Sequence, residues 1–268
     1  MATSPLIALL TDFGLEDGYP GIMKGVMLGI APQAQFVDIT HLVPAEDFAA
    51  GAWILHTAWR YFAAGTVFLC VVDPGVGTVR RPIALRSAGR FFVGPDNGLF
   101  SYVLNEGGPI SVVALDRPEF HLPNPSSTFH GRDVFAPCAA YLASGMSFDE
   151  LGSPVDLVTL TVSSPPPPTV QEGILSGVVI HCDHFGNVIT NFGSGLAKAI
   201  LATPDSIVTV GGTTISDRAA TFAAGPSEKP FLVTDSSGNL AIAVRNASAA
   251  TWLGAARGTG VQVTGVSW

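Results

Sequence analysis

Four consecutive prolines, Pro165 to Pro168, interrupt the 268-residue chain inside the stretch Ser163-Ser-Pro-Pro-Pro-Pro-Thr169. Proline lacks the backbone donor that a helix interior or an inner strand needs, so this run can join neither and should be extended polyproline. The expected organisation is therefore an N-terminal unit over 1–164, a Pro-rich linker over 165–172 and a smaller C-terminal unit over 173–268. Upstream of the prolines, short apolar runs alternate with longer amphipathic stretches, the pattern of strands and crossover helices in a mainly parallel sheet flanked by helices. Downstream, short β-rich runs are separated by glycine, which points to an antiparallel β domain or barrel. The fold class expected is α/β with this second, smaller β domain, and no internal repeat stands out.

In the first unit, strands are expected at Leu6 to Leu10, Gln35 to Ile39 and Thr66 to Val72, the last continuous in apolar residues as a strand covered on both faces must be. Helices are expected at Tyr19 to Ile30, Glu46 to Phe62, Leu99 to Leu104 and Gly131 to Ala143, where apolar residues recur on a helical period. Ile83 to Arg86 and Phe91 to Val93 read as a hairpin-like pair, and Ser111 to Leu115 as extended. In the second unit the strand candidates are Gly173 to Ile180, Val188 to Ile189, Ile207 to Val210, Phe231 to Val233, Leu240 to Ala243 and Gly260 to Val263.

Charge and hydropathy narrow the function classes. Hydrophobic residues make up 47% and charged residues 13% of the chain, about half the usual charged share, which excludes general disorder. The net charge is −8, with only three lysines (Lys24, Lys198, Lys229), so no basic stripe exists to neutralise phosphates and a nucleic-acid partner is not expected. Mean hydropathy is positive at +0.41, yet no uncharged apolar run reaches the roughly 18 residues that cross a bilayer, and no membrane association is expected. Met1-Ala-Thr-Ser-Pro lacks the basic start and apolar core of a signal peptide, so a cytoplasmic location is expected. The three cysteines, Cys70, Cys138 and Cys182, are far apart and read as buried, reduced thiols.

Chemistry-bearing residues gather after strands. Ligands of open parallel sheets bind beyond the carboxyl ends of the strands. Thr11-Asp12-Phe13-Gly14-Leu15-Glu16-Asp17 occupies such a position, with Asp12 and Asp17 able to take hydroxyls or a cation, or to cap a turn and a helix. No Gly-x-Gly-x-x-Gly dinucleotide fingerprint is present. The third strand runs into Asp73-Pro-Gly-Val-Gly-Thr-Val-Arg80, an acid and a guanidinium that can hold a water or simply pair. Phe129-His130-Gly131-Arg132-Asp133 brings a histidine to the same kind of strand-to-helix loop. In the second unit His181-Cys182-Asp183-His184 offers metal-ligand types, but neighbours on a strand point to opposite faces, so a closed metal site is not expected. Asp235-Ser236-Ser237-Gly238-Asn239-Leu240, with Arg245-Asn246-Ala247, reads as a hairpin turn followed by a capped helix.

Taken in order, Thr11-Asp12-Phe13-Gly14 with Asp17, Met23-Lys24-Gly25, Asp73-Pro74-Gly75-Val76-Gly77 with Arg80, Pro95-Asp96-Asn97-Gly98, Phe129 to Asp133, Asp183 with Phe185-Gly186-Asn187, Thr190-Asn191, and Ser236 to Leu240 resemble one family. It is the S-adenosyl-L-methionine (SAM) hydroxide adenosyltransferases, or SAM hydrolases, relatives of fluorinase and chlorinase. The resemblance implies hydrolysis of SAM to adenosine and L-methionine by in-line attack of water or hydroxide at ribose C5′. It also implies a homotrimer with active sites between subunits, and no cofactor or metal. Catalytic roles fall on Asp73, Arg80 and His130, with either Asp73 or His130 as the base. By motif position Asp12 would hold the ribose hydroxyls, Asp17, Asp183 and Ser236 the methionine moiety, Asn187 the adenine edge and Phe185 the adenine ring. The halogenase branch carries tyrosine where Asp73 stands, and a carboxylate there repels halide. A non-catalytic SAM or adenosine sensor is the alternative that keeps the pocket but gives no reason for Asp73, Arg80 and His130 to meet. The sequence departs from many relatives at Ala241, where the family pattern has an acidic residue.

Overall fold

The computed structural model describes residues 4–106 and 108–266. Its contacts divide the chain into two compact units, 1–164 and 165–268. The first contains β1 (Leu6–Thr11), α1 (Tyr19–Ile30), β2 (Gln35–Thr40), α2 (Phe48–Ala58), β3 (Val67–Val71), β4 (Pro82–Ser87), β5 (Arg90–Pro95), α3 (Ser101–Asn105), β6 (Ile110–Ala114) and α4 (Ala136–Ala143). The sheet order is β2-β1-β3-β5-β4-β6. The first four of these strands run parallel, and β4 is antiparallel to both neighbours.

The period of two explains why β1 and β3 read as unbroken apolar runs. Ile7, Leu9, Leu69 and Val71 enter one core with Met23 and Met27 of α1 and Cys138 and Ala139 of α4. Ala8, Leu10, Phe68 and Cys70 enter the opposite core with Leu55 of α2, Leu99 and Phe100. Because both faces are covered, the polar loops beyond Thr11 and Val71 are where these strands meet solvent.

Two helices differ from the sequence expectation in ways that matter to those loops. The helix expected over Glu46 to Phe62 begins at Phe48, because Asp47 caps it by accepting from the Ala50 amide at 2.9 Å and Glu46 is left-handed (φ 65°). It ends in a 3₁₀ turn at Trp59–Tyr61. The helix expected from Gly131 opens with a π turn, Gly131–Phe135, in which the Ala136 amide reaches back to the Gly131 carbonyl. Pro137 explains it: without an N–H it cannot bond the Asp133 carbonyl, which accepts instead from the Leu122 amide at 2.8 Å.

The second unit contains β7 (Thr169–Gln171), β8 (Ile174–Cys182), β9 (Val188–Thr190), α5 (Ser194–Ala202), β10 (Ile207–Val210), β11 (Thr213–Ile215), β12 (Pro230–Thr234), β13 (Leu240–Val244), α6 (Ala249–Leu253) and β14 (Gly260–Thr264). The strands form a nearly closed antiparallel, barrel-like sheet in the order β11-β10-β14-β8-β9-β13-β12, with β7 added on β8. Just beyond β11 the Asp217 carbonyl accepts from the Leu232 amide at 2.8 Å, which brings the two ends of the order together. The segment 165–172, expected as linker, is therefore not unstructured throughout: the prolines stop at Pro168, and Thr169–Gln171 pairs antiparallel with β8. α5 and β11 were not expected from the sequence, whereas α6 is the capped helix expected after Arg245-Asn246-Ala247, with Ser248 as its N-cap. Among the described residues no helix is long and apolar enough to cross a membrane.

Candidate active site

In the first unit, the loops after β1 and β3 and the turn before α4 enclose a cleft of about 380 Å³. Asp12, Asp73 and His130 line it, as the sequence expectation had grouped them. Arg80 is not part of the lining. It lies against the cleft's acid and histidine: Nε donates to Asp73 Oδ1 at 2.8 Å, and Nη2 donates both to Asp73 Oδ2 and to His130 Nδ1, the latter at 2.9 Å. The side chains of Arg80 and Asp73 are only 9% and 4% exposed, and the guanidinium also sits 5.1 Å from the centre of the Phe135 ring in the π turn. This is a forked, charge-assisted pair shielded from water.

An arginine can only donate, so Nδ1 of His130 accepts and the neutral ring carries its proton on Nε2. Burial, and after it the Arg80 charge, hold the His130 pKa below its ordinary value, so the ring is neutral near pH 7. Asp12 moves the other way: burial pushes its carboxyl up, with the Asp73 and Glu46 charges adding to the rise. The Glu46 amide, which donates to Asp12 Oδ2 at 2.8 Å, opposes that shift. The loop carrying Asp73 and Arg80 needs Gly77. Its φ is 76°, and a Cβ there would stand 2.5 Å from the Ser127 carbonyl oxygen of the histidine loop.

Phe13, Tyr19 and Phe129 form the aromatic wall of the cleft, edge to face with centroids 5.2 to 5.9 Å apart. Tyr19 and Glu46 had not been singled out, because nothing in a linear reading brings a helix-start tyrosine and the residue before an N-cap to the same cleft. Asp17 lies on the exposed loop before α1, outside the cleft lining.

The second unit has its own cleft of about 850 Å³, lined by Phe185, Asn187 and the 244–248 segment among others. Phe185 is 75% exposed. Asp183 lies beneath this edge and folds the turn around its carboxylate. Oδ1 accepts from the Phe185 and Asn187 amides at 2.9 and 2.8 Å, and Oδ2 from Asn187 Nδ2 at 2.7 Å. Gly186, at φ 81°, has no room for a Cβ, which would fall 2.2 Å from Ser248 Oγ. Ser236 lies outside this cleft, exposed in the turn between β12 and β13.

That turn repeats the first one. Asp183-His-Phe-Gly-Asn187 and Asp235-Ser-Ser-Gly-Asn239 share Asp-x-x-Gly-Asn, and Asp235 Oδ1 accepts from the Ser237 and Asn239 amides at 2.9 and 2.7 Å. The glycines have matching left-handed φ values, 81° and 87°. The short repeat was the missed signal for Asp235, whose carboxyl burial pushes up, with the Asp183 charge adding. Ala241, the departure from the family pattern, is fully buried in β13 and lines neither cleft. Among the described residues no group of three or more His, Cys, Asp or Glu side chains is arranged to hold a metal ion.

Residues 7–152 match the SAM hydroxide adenosyltransferase N-terminal domain, and residues 177–262 the C-terminal domain of the same family. The chain belongs to the SAM hydroxide adenosyltransferase family. It is 38% identical over 270 residues to the (R)-S-adenosyl-L-methionine hydrolase of Salinispora arenicola, covering 98% of this chain and 99% of the relative. A fluorinase from an Actinoplanes species is more distant, at 30% identity over 279 residues, with 91% and 92% covered. Among solved structures, a conserved protein from Thermotoga maritima superposes with a TM-score of 0.88 at 34% identity, over 96% of this chain and 99% of that one. The matched N-terminal domain holds the Asp73–Arg80–His130 cluster and the matched C-terminal domain the Asp183–Asn187 turn.

Proposed function

We propose that the protein hydrolyses SAM to adenosine and L-methionine by in-line attack of water at ribose C5′. The observation that carries this reading is the hydrogen-bonded contact of Asp73, Arg80 and His130 at a cleft edge, in a chain aligned end to end with a SAM hydrolase. The sulfonium of SAM departs as a neutral thioether, so the leaving group asks for no metal or cofactor. Water is the poor partner, because its proton is lost only near a pKa of about 15.7 in bulk.

The cluster supplies what water lacks. With Nδ1 occupied by Arg80, the His130 Nε2–H faces outward as a donor to the water oxygen, which favours Asp73 as the acceptor of the proton. Arg80 keeps that carboxylate oriented. As the C5′–O bond forms and the C5′–S bond breaks, one water proton passes to Asp73, and the products are adenosine, methionine and one proton released to solvent. Asp12 holds the ribose hydroxyls, with its carboxylate steered by the Glu46 amide. Asn187, its Nδ2 held by Asp183, offers Oδ1 to the adenine amine, and the exposed Phe185 covers the ring. Asp17, Asp183 and Ser236 serve the methionine end. The Asp12, Glu46 and Asp73 carboxylates disfavour a halide in the same cleft.

Purified protein incubated with SAM, with and without chloride or fluoride, is expected to yield adenosine and equimolar methionine under every condition, read by liquid chromatography and mass spectrometry. A 5′-halogenated nucleoside would make it a halogenase, and SAM bound but unchanged would make it a sensor.

The two sets of residues belong to different units, and we place them together between copies of the chain in a homotrimer. Leu15, Leu42 and Val79 in the first unit, and Phe185 in the lining of the second cleft, are exposed apolar groups that an interface would cover. Mixing an inactive Asp73→Ala protein with an inactive Asn187→Ala protein is then expected to restore activity after subunit exchange. No recovery after confirmed exchange would place each site within one chain. Three cysteines without disulfides suit the reducing cytoplasm.

A further inference from the structure

We infer that His41, a buried residue outside the catalytic cluster, is the positioning residue for the Asp12 grip. His41 follows β2 and is 3% exposed, and Thr11, the last residue of β1, is fully buried. Neither lines the cleft. Between them runs a hydrogen bond of 2.8 Å from Thr11 Oγ1 to His41 Nδ1.

The direction of that bond follows from the other ring nitrogen. Nε2 lies 3.1 Å from Asp38 Oδ1, a carboxylate that can only accept, and Asp38 is itself tied to Lys24 of α1 by a 2.6 Å ion pair. We assign the ring proton to Nε2, the nitrogen on the Asp38 side, so that Nδ1 accepts and the Thr11 hydroxyl is the donor. A hydroxyl oriented this way leaves its lone pairs to the chain, and the Phe13 amide donates to it at 3.3 Å. The backbone of His41 completes the grip: its carbonyl accepts from the Gly14 amide at 2.8 Å. The Val43 amide, two residues on, bonds the Thr11 carbonyl at 3.3 Å. Asp12 thus follows Thr11, whose hydroxyl meets both His41 and the Phe13 amide, and lies two residues before Gly14, whose amide the His41 carbonyl holds.

Thr11 is out of reach of any substrate, so the Asp38–His41–Thr11 series is no nucleophilic triad. Its effect must pass through where Asp12 points. The inference rests on the reading of Asp12 as the ribose ligand. The ribose hydroxyls carry no charge that changes during displacement at C5′, so Asp12 binds ground and transition states alike. Misplacing it should raise KM and leave kcat alone, whereas damage to Asp73, Arg80 or His130, which sit on other loops, would lower kcat.

Steady-state hydrolysis of SAM by full-length variants tests this. His41→Leu and the nearly isosteric Thr11→Val are each expected to raise KM about tenfold, the size of one lost orienting hydrogen bond, with kcat within about threefold of wild type. His41→Asn, whose Oδ1 takes the place of Nδ1 as acceptor, is expected to bring KM back to within about threefold. The His41→Leu/Thr11→Val double variant should be no worse than either single one. A lower kcat at unchanged KM, an Asn variant as impaired as the Leu variant, or additive effects in the double variant would overturn the assignment. Should His41→Leu fail to fold, Thr11→Val carries the same test, since it removes only the hydroxyl. If wild-type protein turns over SAM but the variants keep its KM, the positioning role alone falls. If wild type does not turn over SAM, the hydrolase reading falls first and takes this role with it.

Discussion

Asp73→Asn is expected to lower kcat by about 10³-fold while SAM binding stays within a few-fold of wild type, the usual scale for loss of a general base. The amide keeps the size of the carboxylate and one oxygen for Arg80, but it has no basic site for the water proton. Arg80 then faces an NH₂ where it had an acceptor, so a modest loss of stability should accompany the loss of rate. Single-turnover rates at saturating SAM, set beside calorimetric binding, separate the two effects. A variant that binds SAM poorly but turns it over at the wild-type rate would move Asp73 from proton acceptor to substrate ligand.

The second large effect is expected at Arg80. Replacing it with glutamine leaves the Asp73 carboxylate, 4% exposed, without its cation, and removing one partner of a buried pair costs about 3 to 5 kcal/mol. The same change acts on His130 in a definite direction. Burial and the Arg80 charge both hold the His130 pKa below 6.5. In the wild-type protein the ring therefore stays neutral as pH falls through 6.5, and activity declines only at lower pH, where the ring gains its second proton. Without the guanidinium the folded-state pKa rises, so the acidic limb of the kcat profile should shift to higher pH in Arg80→Gln. Arg80→Lys keeps a charge but cannot fork to Asp73 and His130 together, so it should hold the acidic limb near its wild-type position with reduced kcat. Denaturant unfolding and a pH series of kcat check both parts. An unchanged limb in Arg80→Gln would mean that another group sets the profile.

The sequence made the frame legible where one physical rule dominated. β1 and β3 were visible because strands covered on both faces must be apolar throughout, and the division near residue 164 because four prolines fit no element interior. The convergence of Asp12, Asp73 and His130 followed from the rule that loops after parallel strands share one edge of a sheet. Details failed where tertiary contacts override the local pattern. Glu46 looked like the first residue of a helix, yet its amide is used by Asp12, far back in the chain, and its φ turns left-handed. The π turn before α4 was hidden because Pro137 reads as a tolerated helix-start residue, whereas its missing N–H releases the Asp133 carbonyl to Leu122. The strand Thr169–Gln171 was masked by the prolines before it. The twin Asp-x-x-Gly-Asn turns were readable as letters, but only the matching amide bonds to Asp183 Oδ1 and Asp235 Oδ1 give the repeat a meaning. Arg80's place behind the cleft, with its guanidinium forked onto two partners, is a distance in space that no spacing encodes.

In the mechanism proposed above, water beside Asp73 and His130 attacks C5′ of SAM. A turnover in water labelled with heavy oxygen, with adenosine and methionine analysed by mass spectrometry, tests it most directly. One labelled oxygen in the adenosine ribose at C5′, and none in methionine, is the predicted result. Label in the methionine product, or adenosine formed without label, would rule out attack of water at C5′.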